Sequence, residues 1–259
     1  MRGRRLSLSR PRRLIADLMH FAAQVPSIPV QRRMDLAAVA DARLHCPDRP
    51  SWPAIFTKAF ALVASEFPEL RRAYCKFPYS HLYEYPASVA NVAIEREYRG
   101  ERAVLPLLIK NPAELPVTEI GWLIRTAATL PIEDVKNFRR ALRVTRLPQR
   151  LRRFLWWMGL NAGRQRANYF GTFGVTAYAA RGAESLHPLS PLTVTLTYGL
   201  VGGDGRADVR IVYDHRVLDG ATVAEALVRL EGVLNTAIRE ELLESHWRSS
   251  AGGFMLRAA

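Results

Sequence analysis

The feature that most constrains this 259-residue chain is a short stretch near its C-terminal end, residues 212–220, which reads Val-Tyr-Asp-His-Arg-Val-Leu-Asp-Gly. Before it, residues 207–213 have the β-branched and aromatic content of a strand. After it, apolar residues from 223 to 238 recur at helical spacing, and Thr222 with Glu225 fits the capping-box pattern. The pattern therefore predicts His215 at the end of a strand and just before a helix. Rigid scaffolds commonly present catalytic groups to a cleft at such places.

Charge and cysteine content narrow the function without deciding it. The formal net charge is +13, which indicates an anionic partner such as nucleic acid, a membrane surface or a phosphorylated substrate. Cys46 and Cys75 show neither metal-ligand spacing nor a disulfide framework, which suits a reducing compartment. The longest unbroken apolar run, residues 154–160, is far shorter than the ~20 residues of a spanning helix. We therefore expect a cytoplasmic protein.

The pattern His215-x-x-x-Asp219-Gly220 resembles the active-site motif of the chloramphenicol acetyltransferase-like enzymes. The longer phrase Asp-His-Arg-Val-Leu-Asp-Gly-Ala is similar to the catalytic domain of dihydrolipoamide acyltransferases, the core subunits of 2-oxoacid dehydrogenase complexes. Residues 171–176, Gly-Thr-Phe-Gly-Val-Thr, match a Gly-Thr-Phe strand of the same family. The alternative is a histidine that merely bonds a backbone carbonyl at a strand end, but eight matching positions in a strand–turn–helix context favour the motif.

The resemblance extends over roughly residues 9–238 and implies an α/β (α+β) fold, a mixed β-sheet flanked by helices. It also implies trimers whose active site lies between subunits. We expect one acyltransferase catalytic domain over residues 1–259, with no lipoyl or peripheral-subunit-binding domain, and the N-terminal arginines look like part of that domain. The residue patterns predict helices over 11–19, 51–66 and 118–130, and strands over 30–36, 89–94, 103–109, 191–200 and 207–213. Glycines 202, 203 and 205 predict a hairpin turn, not a phosphate-binding loop.

The resemblance also implies roles for the site residues. His215 would be the general base, because imidazole titrates close to neutral pH. Its second ring nitrogen would be held by its own backbone carbonyl. Thr176 would donate a hydrogen bond to the oxyanion of the tetrahedral intermediate, where the family usually has serine. Thr172 and Tyr178 are fallback donors.

Asp219 invites interpretation as a catalytic partner of His215, but in the family this aspartate mainly supports the site by pairing with an arginine. The candidate arginines here are Arg10, Arg12 and Arg13. Gly220 would allow tight packing at the turn. The other histidines are scattered without metal-ligand spacing, so we expect no metal site; they are His20, His45, His81, His187 and His246.

Residues 135–183 contain no Asp or Glu, and the family has a shorter, less basic link here. We interpret residues 135–167 as a basic, aromatic insertion in which Arg150, Arg152 and Arg153 lie near Trp156 and Trp157. Basic helices with an aromatic face are typical of membrane interfaces. The segment could equally pack its aromatic residues into the trimer, or bind the phosphates of coenzyme A.

The sequence thus predicts a stand-alone acyltransferase that moves an acyl group from acyl-CoA to a thiol, hydroxyl or amine acceptor. Coenzyme A would be a substrate, and no lipoyl group is expected on this chain. The acceptor would be a small or lipid-like molecule. Two alternatives are a dihydrolipoamide acyltransferase core that acts on a lipoyl domain of another chain, and a non-catalytic scaffold of the same fold. Nucleic-acid binding rests only on charge and shows no recognised binding module.

Overall fold

The computed structural model describes residues 3–177 and 182–245 of the chain. A six-stranded sheet has the order β1-β8-β7-β6-β4-β5. Its strands are β1 (Ser27–Asp35), β4 (Val89–Tyr98), β5 (Glu101–Lys110), β6 (Phe173–Thr176), β7 (Val194–Tyr198) and β8 (Arg206–Asp214). Two short strands, β2 (Arg72–Cys75) and β3 (His81–Glu84), pair separately in an antiparallel hairpin.

The main sheet is mixed, as the family resemblance implies. β6 runs parallel to both of its neighbours, β4 and β7, whereas the other neighbouring pairs are antiparallel. The register places Asp214 opposite Ser27 and Tyr213 opposite Val194. The end of β8 therefore lies beside the first residues of β1 and β7, and the chain leaves the sheet there into the His215 turn.

The helices are α1 (Arg10–Ala22), α2 (Ala37–His45), α3 (Trp52–Glu66), α4 (Val117–Thr129), α5 (Lys136–Val144), α6 (Gln149–Asn161), α7 (Gly163–Phe170) and α8 (Gly220–Val233). A 3₁₀ turn, Pro68–Arg71, follows α3, and a π-helical turn, Leu234–Ile238, follows α8. α3 packs against α4 and α8, so these three helices form one layer on the sheet. Ring contacts join the layers, because Phe56 stacks on Tyr198 at 4.1 Å and Phe60 contacts Phe173 at 4.7 Å.

The predicted helices agree with α1, α3 and α4, and the β7–β8 hairpin is confirmed. Two strand predictions needed correction. The first strand starts at Ser27 and includes Pro29, which is tolerated because β1 is an edge strand. The charged segment 95–102, which separates the predicted strands 89–94 and 103–109, is mostly strand: only Arg99 and Gly100, both with positive φ, turn the chain between β4 and β5.

The basic segment 135–167 folds as α5, α6 and part of α7. Its central helix is joined to α1 by a buried ion pair, in which Arg152 Nε donates to Asp17 Oδ2 at 2.6 Å. Trp156 is also buried, stacked on Phe21 and tilted against Phe170. Arg166 is buried and donates to the carbonyls of Tyr74, Leu160 and Pro191. Part of the arginine content is therefore structural, and Arg152 is unable to serve as the surface cation that the sequence pattern predicts.

Within the described ranges, none of the helices is both long and apolar enough to cross a membrane. The same residues contain no group of three or more His, Cys, Asp or Glu side chains that could hold a metal ion. Both cysteines of the chain are free and buried.

Candidate active site

The turn after β8 is built by the two residues on either side of His215. The buried carboxylate of Asp214 accepts hydrogen bonds from Arg216 Nε at 2.9 Å, from Arg216 Nη2 at 2.7 Å and from the Arg216 backbone N–H at 3.0 Å. The backbone N–H groups of Val217 and Leu218 donate to the Asp214 carbonyl. Such a bidentate, charge-assisted contact fixes geometry as well as adding stability. The Asp-His-Arg run therefore folds into a rigid loop that points His215 away from the strand.

The imidazole of His215 is held in one tautomer. Its Nδ1 lies 2.9 Å from the carbonyl oxygen of Leu218. Because a carbonyl oxygen only accepts, Nδ1 carries the proton, and in the neutral ring Nε2 holds the free lone pair. Within the described part of the chain Nε2 has no hydrogen-bond partner, and the side chain is 46% exposed. The side chain of His215 thus exposes its basic nitrogen, Nε2, at the surface of the chain.

The acceptor of this bond differs from the family expectation, which is the histidine's own carbonyl. The turn provides a different oxygen, because Leu218 N–H bonds back to Asp214 and brings the Leu218 carbonyl under the ring. The consequence for the tautomer is the same, since either carbonyl requires a proton on Nδ1.

Tyr213 supports the ring from the strand side. The two rings meet edge to face, with centroids 5.7 Å apart. Burial raises the pKa of the Tyr213 phenol, and the negative charge of Asp219 adds to that shift. The phenol is therefore neutral at physiological pH and places an uncharged, packed surface beside the imidazole of His215.

In the described part of the chain, Asp219 pairs with none of the three candidate arginines. Its side chain is 87% exposed, and its Oδ1 lies 3.9 Å from His215 Nδ1. Arg10 donates to Tyr98, Arg12 pairs with Glu101, and Arg13 donates to the carbonyls of Leu8 and Thr145. The expected pairing is wrong because the start of α1 lies beside β5, at the sheet edge opposite to β1 and β8.

The helix after the motif starts earlier than the capping-box pattern predicts. α8 begins at Gly220, so Asp219 occupies the N-cap position and Thr222 lies inside the first turn. The Asp219 side chain makes no capping hydrogen bond, although its negative charge is favourable near a helix N-terminus. Gly220 is not required by space: an added Cβ would meet only Tyr213 Oη at 3.5 Å, an ordinary contact.

Thr176, the predicted oxyanion donor, lies at the other end of the sheet from His215. It is level with Thr197 on β7, which is level with Arg210 on β8, five residues before His215. At ~3.3 Å per residue and ~4.8 Å per strand, the two residues are roughly 19 Å apart in one chain. One subunit therefore does not bring Thr176 to His215.

The fallback donors do not replace Thr176. The Thr172 hydroxyl is buried and fully engaged, since it accepts from the Val89 backbone N–H at 3.0 Å and donates to the Val89 carbonyl at 3.2 Å. Tyr178 lies outside the described residues.

Sequence reasoning missed a polar row beside Thr176. Gln31, Arg210, Thr197 and Thr176 stand level on four adjacent strands, and by strand alternation they share the face turned away from the buried Leu196 and Ile211. Arg210 is buried, donates to Gln31 and pairs with Glu184 at 2.7 Å. Among the described residues, Thr197 Oγ1 and Arg210 Nη1 are buried without a partner. An arginine between Val209 and Ile211 in a strand was the one sequence signal of this row.

A small cleft adjoins the His215 turn on its other side. Arg216 lies over the ring of Tyr74 at 4.3 Å, and both residues line the cleft with Phe21, Lys76, Trp157 and Asn161. The end of α1, the β2 strand and α6 meet here. The basic segment therefore reaches the immediate surroundings of the candidate site.

Comparison with known proteins bears on the fold. No protein-family model matches the sequence, and no curated protein matches it. A probable dihydrolipoamide acetyltransferase from Listeria monocytogenes is similar, with a TM-score of 0.62 at 18% identity, covering 93% of this chain and 95% of that one. Dihydrolipoamide acetyltransferase from Azotobacter vinelandii has a TM-score of 0.66 at 16% identity, with the same coverage of 93% and 95%. Chloramphenicol acetyltransferase has a TM-score of 0.51 at 13% identity, covering 88% of this chain and 96% of that one.

These likenesses establish the predicted fold. The chain has the architecture of the catalytic acyltransferase domains of 2-oxoacid dehydrogenase cores and of chloramphenicol acetyltransferase. The Azotobacter structure belongs to a study of a serine, a histidine and an asparagine in that enzyme's catalytic mechanism, the last two four positions apart. His215 and Asp219 have the same spacing in this chain.

Proposed function

We propose that the protein is an acyltransferase that moves an acyl group from acyl-CoA to a thiol, hydroxyl or amine acceptor, with His215 as general base. The observation that carries the proposal is the His215 turn. Its Nδ1–H is fixed on a backbone carbonyl, so the free Nε2 is exposed at the end of a strand in an acyltransferase fold. The scaffold alternative gains no support from a turn held this rigidly.

The chemistry follows from that geometry. Nε2 takes the proton of the acceptor as the acceptor attacks the thioester carbonyl, and the Leu218 carbonyl and Asp219 carboxylate stabilise the imidazolium that forms. The collapse of the tetrahedral intermediate breaks the C–S bond, and the proton passes from Nε2 to the departing thiolate of coenzyme A. No acyl-enzyme is needed.

The oxyanion of the intermediate needs a donor near Nε2, and Thr176 of the same chain is too far away. We assign this role to Thr176 of a second copy, in a homotrimer whose sites lie between subunits. A closed ring repeats the same contact at every interface. Separation of the two residues within one chain supports this arrangement.

A screen of purified protein against acyl-CoAs of different chain length, with an acceptor panel, tests the function. Release of free coenzyme A thiol is the readout. We expect acceptor-dependent release, and we expect His215→Ala to lower the rate by about 10²–10⁴-fold while the protein stays folded. A folded His215→Ala variant with wild-type turnover would remove His215 from the mechanism.

The same panel separates the stand-alone enzyme from the dihydrolipoamide acyltransferase core, which the structural likeness favours equally. Including dihydrolipoamide and a lipoyl domain as acceptors decides between them. A preference for the lipoyl domain over every small acceptor would assign the core function. We expect the reverse, a preference for a small or lipid-like acceptor.

A further inference from the structure

One face of α6 is apolar and turned outward. Leu151, Phe154, Trp157 and Met158 recur along this face, and each is between 39% and 55% exposed. Phe77, from the loop between β2 and β3, extends the surface with its ring 5.8 Å from that of Trp157, and Phe154 stacks on Trp157 at 6.2 Å. We call these five residues the α6 patch. Contiguous exposed apolar surface of this kind marks an interaction site.

The patch is not an unfilled part of the core. The opposite face of α6 already packs inward, where Trp156 contacts Phe21 and Arg152 pairs with Asp17. One side of the helix is therefore anchored in the fold, and the opposite side is apolar. An amphipathic surface helix normally turns charged residues to solvent, so the outward face requires another explanation.

The charges around the patch have one sign. Lys76 precedes Phe77, and Arg150 and Arg153 lie on α6 itself. Residues 71–83 and 135–183, the two segments that build this surface, contain no Asp or Glu. Asp17, which pairs with Arg152 and lies 3.8 Å from Arg153, is itself buried. An apolar surface surrounded by positive charge is complementary to an apolar layer that has negative charges along its boundary.

We propose that the α6 patch docks the protein on an anionic lipid membrane. Tryptophan, phenylalanine and leucine beside basic residues are the composition of interfacial helices, which insert one face into the boundary between headgroups and acyl chains. Pairing of the patch with itself in a second copy is less favourable, because a two-fold contact would bring Lys76, Arg150 and Arg153 near their own equivalents.

The position of the patch connects docking with the candidate site. Trp157 belongs both to the patch and to the cleft that Arg216, the neighbour of His215, also lines. If the proposed acyl transfer holds, a lipid-like acceptor in the membrane would enter beside the catalytic turn. Membrane docking itself does not depend on that function and is measured without it.

Vesicle sedimentation tests the proposal. We expect wild-type protein to sediment at low salt with vesicles of equal parts phosphatidylglycerol and phosphatidylcholine, and much less with pure phosphatidylcholine. Replacing both Lys76 and Arg150 with Gln should weaken partitioning by about fivefold per residue. Replacing Phe154 and Met158 with Ser should weaken it by about tenfold or more, because their burial in the interface is lost.

Matched controls come from other faces of the molecule. Trp122 on α4 is exposed, so Trp122→Ser removes a comparable apolar group outside the patch and should leave partitioning unchanged. Arg239→Gln is the equivalent control for charge. Light scattering of each variant checks that its mass is that of the wild type.

Three results would overturn the proposal. The wild type could fail to sediment with anionic vesicles at low salt. Sedimentation could persist unchanged both in the Lys76→Gln, Arg150→Gln double variant and in the Phe154→Ser, Met158→Ser double variant. The Phe154→Ser, Met158→Ser double variant could have a different oligomeric mass from the wild type, which would assign the patch to contacts between copies. Acyl transfer to a soluble acceptor, measured in parallel, shows whether a failure concerns docking alone.

Discussion

At the scale of single residues, the reactivity of a side chain depends on which of its atoms already make hydrogen bonds. His215 has one nitrogen fixed on the Leu218 carbonyl and the other free, so the protonation pattern that a base needs exists before a substrate binds. Arg216 and Asp214 form an ion pair whose opposite charges cancel, so neither side chain competes with His215 for the acceptor. The turn is thus prepared for proton transfer by local bonds alone.

Thr176 provides a residue-scale prediction. Thr176→Val should lower kcat by about 10²–10³-fold, because one oxyanion donor is lost, whereas Thr176→Ser should retain most of the activity. KM for acyl-CoA should change little in either variant. Thr236→Val, which removes an exposed hydroxyl in the π-helical turn after α8, is the matched control. Equal activity in Thr176→Val and wild type would exclude the hydroxyl from the reaction.

The residues show where sequence reasoning succeeds and where it stops. His215 was predictable because its strand, turn and helix are contiguous in sequence, so their arrangement is local. The roles of Asp219 and Arg210 could not be predicted from the sequence, since they depend on elements that are far apart in the chain. Asp219 lacks the expected arginine because α1 starts at the opposite sheet edge, and Arg210 acquires Gln31 and Glu184 only through the strand order.

At the scale of elements, a buried ion pair helps to hold the basic segment 135–167 in the fold. Asp17 of α1 and Arg152 of α6 are 1% and 7% exposed, with a second arginine, Arg153, 3.8 Å from the carboxylate. Buried pairs of this kind add little when compared with a well-packed apolar pair, but breaking one leaves a charge without compensation.

Arg152→Met should therefore lower the free energy of unfolding by about 3–5 kcal/mol, since Asp17 is left buried. The double variant with Asp17→Leu should recover most of the loss. Urea unfolding followed by circular dichroism measures both. Arg143→Gln, on the exposed surface of α5, is the control and should change stability by less than about 0.5 kcal/mol. An Arg152→Met variant as stable as wild type would show that Arg153 alone compensates the buried charge of Asp17.

Elements were predictable where one sequence period dominates, as in α3, α4 and the β7–β8 hairpin. Errors arose where tertiary position overrides local preference. Pro29 is accepted because β1 lies at an edge, and the charged residues 95–97 form strand because β5 pairs along their whole length. The burial of Arg152 could not be predicted from the sequence either, because its partner, Asp17, lies 135 residues earlier.

At the scale of the whole molecule, a site that combines His215 with Thr176, as we propose, requires more than one copy because the two residues are far apart in one chain. Light scattering after gel filtration should give about three times the 29.2 kDa chain mass, since a closed cyclic assembly satisfies every copy of the shared interface. Activity should fall on dilution below the concentration at which the assembly dissociates. A monomeric protein with full activity would contradict the shared site.

The most direct measurement of the central claim, that His215 of one copy works with Thr176 of the next, is complementation. His215→Ala and Thr176→Val chains carrying different tags are co-expressed, and assemblies that contain both are purified. Each parent alone should be nearly inactive. In each trimer that contains both chains, one of the three sites combines an intact His215 with an intact Thr176 of the neighbour, so acyl transfer should return to about a third of wild type. Mixed assemblies no more active than the parents would contradict the account.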